Sequence, residues 1–425
     1  MRGSTSWGTP RASRWTRSSA GRPTRRSPGS SSSIFRGSPS SSPTRTTGCR
    51  SIWNGRRIRT SSSRSGASTS SSAACRPMHF GVFLEERRRG ATEAETFEET
   101  LVLVDAAEAW GLHEIWLGEI HFNGNRSVQS APLALSAFIA ARTRRIRVGT
   151  AVQVLPLSNP LQLAEQVATV DQLSQGRFDF GIGRSGSARA YDILGIPYGE
   201  SQARFLEALE VLREAWKGKT FTYEGKFYQF KNATVSPMPR QLPHPPMRMA
   251  SNSEETFLHV ARLGLPIFVG LRDHDIPSLE IHLGSYRKAW KEAGHAGNPD
   301  AFLRIPVYLA ATETEALEEP KENMTYFFQR HLELVQSGMG RRDTGSATRR
   351  QRLADKVGGL TYDEILKTRV AFGTPRRVIE RLGEVAEQLG LSGIVAELNP
   401  GGLLPLEKMR RTLHFLTHEV MPAFS

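Results

Sequence analysis

Gly181-Ile182-Gly183-Arg184-Ser185-Gly186 is the stretch whose residue types point most directly to chemistry. Glycines free backbone N–H groups, and one fixed guanidinium beside them suits a phosphate. The spacing also satisfies GxGxxG, a dinucleotide fingerprint that requires a helix opening directly at the glycines. Here Ile196-Pro197-Tyr198-Gly199 intervenes, the confident helix begins only near Glu200, and the loop follows the fourth strand-like run. The phosphate-loop reading is therefore preferred. A second anion candidate, Ser251-Asn252-Ser253-Glu254-Glu255-Thr256, opens a helix whose free N–H groups and dipole attract negative charge. The same letters can also form a plain capping box of Ser251 with Glu254. His121 can serve as acid, base or hydrogen-bond partner, or be purely structural. No metal site is read: His414 and His418 stand at i, i+4, but Phe415 fills the place of the glutamate in HExxH.

These residues need elements to hold them. Leu163, Val167 and Val170 recur at helical spacing, predicting a helix over 160–174 with Gly176 as its stop. A short apolar strand, 177–182, then delivers the glycine loop. Strand-like runs at 79–84, 114–117 and 146–155 precede it, and 247–250, 266–270, 303–310 and 393–398 follow. Helical patterns lie between: one with Phe97, Leu101, Val104 and Trp110 on one side, one over 132–141, and one with Phe205, Leu209, Leu212 and Trp216. Others are expected near 283–293, from Thr374-Pro375 onward, and over 405–420. Residues 221–230 read as an inserted hairpin. Residues 313–370 read as a long charged insertion. Eight strands alternating with helices predict a (β/α)8 TIM barrel with insertions, its chemistry at the C-terminal strand ends.

Composition divides the chain at Met78. The first 77 residues hold 15 Arg and 23 Ser with no Lys, Asp or Glu. The whole chain carries +14, so the remaining 348 residues carry −1 once those arginines are set aside. The basic charge thus belongs to the leader and is no argument that the barrel binds nucleic acid. Residues 1–77 are expected to be a disordered low-complexity leader, non-native or a start-site miscall, with 78–425 as the domain. Both cysteines, Cys49 and Cys75, lie in the leader. The domain therefore has no disulfide, and a reducing cytoplasm is expected. No apolar run is long enough to span a bilayer.

From Met78 to about Ala423 the sequence resembles the bacterial luciferase-like flavin-dependent monooxygenases. The resemblance rests on MHFGVF at 78–83, WLGEIHF at 116–122, VGTAVQVLP at 148–156, DQLSQGRFDFGIGR at 171–184, ARLGLP at 261–266 and FGTPRRVIE at 372–380. It implies a TIM barrel that binds reduced FMN or, in one branch, the deazaflavin F420. In the FMN branch a separate NAD(P)H:flavin reductase supplies the flavin. O2 then forms a C4a-(hydro)peroxide that oxidises a small organic substrate. A homo- or heterodimer is expected, with neither nucleic acid nor membrane as partner.

Carried over residue by residue, the resemblance assigns Arg184 and Arg204 to the flavin phosphate, with Ser253, Thr256 and the backbone of Asn252 beside them. Ala151-Val152 falls where the family often has a non-proline cis peptide under the flavin ring. Glu119-Ile120-His121 stands where the luciferases have Glu-His-His. The first of those histidines is catalytic there, and Ile120, which cannot move a proton, replaces it. Glu119 and His121 are the catalytic candidates that remain. Gly183 replaces a luciferase cysteine. These departures point away from aldehyde luminescence toward another oxygenation. The alternatives are an F420-dependent oxidoreductase and a catalytically silent flavin-binding protein. The 313–370 segment corresponds to the family's mobile lid.

Overall fold

The structure is a computed structural model. It describes residues 78–85, 87–185, 188–337, 351 and 353–425. The readings of 1–77, of Gly186 and of the SGMGRRDTGSATRR core beyond Ser337 fall outside these residues.

Apolar runs too short for helices form the barrel staves: β1 (His79–Leu84), β2 (Glu114–Leu117), β3 (Arg147–Thr150) and β5 (Phe178–Gly183), then β8 (Met247–Ala250), β9 (Ile267–Gly270), β10 (Ala301–Leu309) and β12 (Gly393–Glu397). Each pairs in parallel with the next, and β12 pairs back onto β1, closing the barrel. Among the described residues this is an eight-stranded (β/α)8 barrel. Phe83, Trp116, Phe268, Phe302 and Val395 fill its interior, with Trp116 and Phe268 edge to face at 4.8 Å. A packed interior leaves only the mouths for chemistry.

Four short strands lie outside the ring's eight. The stretch expected as one strand over 146–155 breaks into β3 and β4 (Gln153–Val154) at a cis Ala151–Val152 peptide bond. The hairpin is β6 (Phe221–Glu224) with β7 (Gln229–Ala233), antiparallel as expected. A strand missed by the pattern, β11 (Ala371–Gly373), pairs with the extended end of β10 at Val307–Leu309. Three residues are too few to show a period.

The connecting helices are α1 (Glu93–Ala109), α2 (Pro132–Arg142), α3 (Pro160–Leu173), the short α4 (Arg189–Ile193), α5 (Ser201–Ala215), α6 (Glu254–Arg262) and α7 (Ile276–Glu292). Gly176 takes φ +82° just beyond α3, as its stop role required. In α1 the expected apolar face holds at Val104, which is buried, and at Leu101 and Trp110, which pack half-buried against the core, but not at Phe97. Phe97 is 39% exposed, while Thr96, Thr100, Leu103, Val104 and Ala107 are buried. Both threonine hydroxyls donate to the carbonyl one turn back, at 2.8 Å, so they can be buried at little cost.

The described residues of 313–370 are more helical than a charged insertion. They contain α8 (Glu313–Glu318), α9 (Lys321–Ser337) and α10 (Tyr362–Thr368). Asn323, Met324, Phe327, Phe328 and His331 form the buried face of α9. After α11 (Pro375–Leu389) the chain ends in α12 (Leu406–Phe415), which widens to a π-type turn over Leu416–Val420. Among the described residues no helix is long and apolar enough to cross a membrane.

Candidate active site

The glycines of the 181–186 loop are explained by packing. A Cβ at Gly181 would lie 1.8 Å from the Thr150 carbonyl oxygen, and one at Gly183 would lie 2.5 Å from Val152 Cγ2. Strand β5 therefore needs glycine where it passes the cis-bonded turn, whatever binds above. A cysteine at 183 would therefore require the Val152 side chain to shift. Arg184 leaves the strand end half-buried, with Nη1 3.5 Å from Ser201 Oγ.

Strand β8 delivers the second candidate. Ser251 still belongs to the sheet, its N–H donating to the Phe268 carbonyl at 3.0 Å, so it is not free to cap. The cap of α6 is Ser253. Its Oγ accepts from Thr256 N at 3.4 Å and shares a 2.6 Å hydrogen bond with Thr256 Oγ1. The expected Ser251–Glu254 box is thus replaced by a Ser253–Thr256 cap. One turn on, His259 has its Nε2 buried without a hydrogen-bond partner. Burial, then the charges of Arg184 and Arg262, hold this imidazole below its ordinary pKa. Exposed Asn252 offers its carbonyl to His274 Nε2 at 3.3 Å. Arg204 is engaged elsewhere: its Nε donates to Glu200 at 2.9 Å and its guanidinium lies 4.5 Å over the Phe227 ring.

Strand β2 carries the acid–base candidates. Glu119 is buried and both its oxygens are used. Oε1 accepts from His121 Nε2 at 2.6 Å, and Oε2 accepts from Val154 N at 2.6 Å, two residues beyond the cis bond. The hydrogen bond to Glu119 outweighs burial and raises the His121 pKa. Glu119 therefore orients the imidazole and pins β4, which leaves His121 Nδ1 as the nitrogen for proton exchange.

A cleft enclosing about 760 Å³ of empty space, open mouth included, lies over this pair. Ile120, Val154, Leu157 and Phe327 supply its apolar lining, and Arg126, Arg189, Arg272 and Arg330 its charge. Helix α9 is one wall. Asp273, just beyond β9, meets His331 Nε2 of α9 at 2.7 Å and Arg272 at 3.5 Å.

The sequence profile of the luciferase-like monooxygenases matches residues 78–393. The chain belongs to that family. The oxygenase component of a flavin-dependent trigonelline monooxygenase from Acinetobacter baylyi is 26% identical over 364 residues, covering 82% of this chain and 96% of the relative. The solved structure of the monooxygenase RslO1 from Streptomyces bottropensis superposes with a TM-score of 0.68 at 25% identity, covering 82% of this chain and all of that one. The FMN complex of the oxygenating constituent of 3,6-diketocamphane monooxygenase from Pseudomonas putida has the same fold, with a TM-score of 0.68 at 21% identity and coverage of 81% and 98%. The named relatives of this luciferase-like chain thus include flavin-dependent monooxygenases, and F420-dependent enzymes share the fold.

Within that family the structure brings together some of the candidates read from sequence. Val152, joined to Ala151 by the cis bond, lies against Gly183. Arg184 lies close enough to act electrostatically on α6, which carries Thr256 and His259. Glu119, His121 and Val154 form one hydrogen-bonded unit. His259 was missed, although it continues the i, i+3 spacing of Ser253 and Thr256. Arg272, Arg330, Asp273 and His331 were missed too, because they meet only through the packing of α9 over β9. Among the described residues no cluster of three or more His, Cys, Asp or Glu side chains could hold a metal ion.

Proposed function

We propose that this protein is the oxygenase of a two-component flavin-dependent monooxygenase. It takes reduced FMN from a separate NAD(P)H:flavin reductase and uses O2 to oxidise a small organic substrate. One observation carries the reading. An anion-type cradle on β5 and β8 and an oriented imidazole on β2 flank the same cis-bonded turn, at the C-terminal mouth where barrel chemistry occurs. The residues present fit the cofactor. The buried, partnerless His259 Nε2 and the capped N-terminus of α6, with Arg184 nearby, offer donors suited to a phosphate. Ser253, Thr256 and Arg184 would hold that phosphate, and Ala151, Val152 and Gly183 would floor the ring. Reduced flavin would supply the electrons that activate O2.

The chain's own part follows from its geometry. Ile120, Val154, Leu157 and Phe327 keep water from the reacting region. His121, held by Glu119, passes a proton to or from the substrate through Nδ1. The trigonelline relative is the oxygenase component of a flavin-dependent monooxygenase and the diketocamphane oxygenase is solved with FMN, which supports a flavin and a reductase partner.

The test mixes the full chain anaerobically with reduced FMN, then rapidly with O2. The expected result is a transient absorbance, distinct from reduced and oxidised flavin, that outlives autoxidation of free flavin. Reoxidation at the free-flavin rate sinks the oxygenase reading, and tight binding of reduced F420 in its place would reassign the protein to hydride transfer.

A further inference from the structure

Two imidazoles line the same cleft. His121 reaches it from the end of β2 and His331 from α9. Each rests on a carboxylate. Glu119 Oε1 accepts from His121 Nε2 at 2.6 Å, and Asp273 Oδ1 stands 2.7 Å from His331 Nε2. The oxygenase reading gives His121 a task and leaves His331 without one.

The tautomer of His331 follows from its contact. Burial pushes the Asp273 carboxyl up, yet Arg272 and then His331 hold it well below the ordinary carboxylate range, so it is an anion. A bare ring nitrogen and a carboxylate oxygen would repel each other at 2.7 Å. Nε2 therefore carries a hydrogen, and in the neutral ring Nδ1 keeps the free electron pair. The charged groups around the two rings then act in opposite senses. Facing His331 are Asp273 and Arg272 from the end of β9 and Arg126 from the turn after β2, with Arg330 beside it on α9. Burial lowers the His331 pKa, and the two guanidiniums at 272 and 126 add to this against the pull of Asp273. At His121 the hydrogen bond to Glu119 outweighs burial and raises the pKa. Two like groups in one site, pushed apart by their surroundings, form the pattern of an acid and a base.

An imidazole of lowered pKa is too weak a base for an alcohol or an aliphatic C–H, and it suits an acidic O–H. Ile120, Leu157 and Phe327 offer an apolar wall beside it. We propose that His331 is the base of this cleft, with His121 as its acid, and that the substrate carries its acidic O–H on an apolar ring, as a phenol does. The O–H bond breaks, an Nδ1–H bond forms on His331, and the electron pair stays on the oxygen, from which it enriches the ring carbons for oxidation. His121 gives its Nδ1 proton to an oxygen made negative in the reaction, so the cleft gains one proton and loses one. The proposal rests on the oxygenase reading only for what then becomes of the ring.

The test follows 2-fluoro-4-nitrophenol by 19F NMR, whose shift reports ionisation, on the full chain with oxidised FMN present. The methyl ether of the same phenol is the control. At a fixed pH the ratio of ionised to neutral phenol should rise about tenfold or more on binding, and the phenol should bind tighter than its ether. His331→Gln should return that ratio to within about twofold of the free value while the melting temperature holds. If His331→Gln loosens α9, the 15N spectrum of the histidine-labelled wild type carries the test: His331 should be neutral with a bare Nδ1 near neutral pH, and should gain its second proton when the phenol binds. Unchanged ionisation, no binding at millimolar concentration, a raised ratio that survives His331→Gln, or a protonated Nδ1 in the free chain overturns the proposal. Loss of the effect in His121→Gln with its retention in His331→Gln makes His121 the base and overturns it equally. Failure of the oxygenase reading shows only in the O2 experiment, which contains no phenol, and leaves this titration intact.

Discussion

Two buried aspartates at opposite ends of the barrel behave differently. Asp171, near the end of α3 at the barrel's N-terminal side, is fully buried. It accepts from Arg240 N at 2.7 Å, Gln241 N at 2.8 Å and Gln241 Nε2 at 2.7 Å. These donors are neutral and fixed by the chain, so the carboxylate clamps the loop that leads into β8. Asp273, at the mouth, is held by a guanidinium and an imidazole instead. Neutral donors close a site; cationic partners leave a field that another anion can share. The base of this barrel is finished by folding, whereas under the proposed function its mouth is left for a ligand to complete.

The largest effect should come from breaking the clamp. Asp171→Ala strands two backbone N–H groups and an amide, each costing about 1–3 kcal/mol when buried and unpaired. A stability loss of at least about 3 kcal/mol is expected in urea unfolding. A loss under about 1 kcal/mol would show that Asp171 is as replaceable as a surface acid, and the contrast between the ends would fail.

Next in size is Arg184→Ala at the mouth. Losing a charge-assisted contact to a phosphate should weaken FMN binding about tenfold to a hundredfold. Flavin fluorescence titration reads this, with riboflavin as the control that must not change. Parallel weakening of both flavins would instead make Arg184 a packing residue of the β5 end.

The difference between the ends also sets what the sequence disclosed. Strand and helix periods carried the barrel because each stave buries a local pattern, and β8 fell at Met247–Ala250 as read. Glu119 and His121 were legible because two residues in one strand-end turn already form the pair. Arg272, Arg330, Asp273 and His331 were not, since no local pattern joins β9 to a helix some sixty residues later. The apolar spacing of Met324, Phe327, Phe328 and His331 could have revealed α9, but the charged residues between them masked it. The cap at Ser253 was misplaced by two residues because the hydrogen bond that keeps Ser251 in the sheet is a tertiary one.

Glu119→Gln probes the mouth more finely. The glutamine carbonyl can still accept from Val154 N, so the stability loss should stay near about 1 kcal/mol. The raised pKa of His121 has a definite consequence. A pKa above the unfolded value means that the protonated pair stabilises the fold fully below the ordinary histidine value, and this stabilisation is lost as pH rises through the raised one. In Glu119→Gln the His121 pKa should fall, as seen in the NMR titration of its ring protons, and the pH profile of turnover should move with it. An unmoved ring titration would mean that the 2.6 Å contact does not govern the imidazole in solution.

The smallest effect is expected at Arg204. A resemblance to the family places it at the flavin phosphate, whereas its guanidinium is held by Glu200 and stacked on Phe227. A partly exposed ion pair of this kind contributes about 0.2–1 kcal/mol, and a cation over an aromatic ring a similar amount. Arg204→Gln should therefore lower stability by about 1 kcal/mol and leave FMN affinity within about twofold of wild type. Substitution of Phe227 by Leu should produce much of the same stability loss, since the stacking partner goes with it. A tenfold drop in FMN affinity with riboflavin unaffected would instead mean that Arg204 leaves Glu200 when the phosphate arrives. The cradle would then extend from β5 onto α5, and this guanidinium would join the charges of the mouth that a ligand completes.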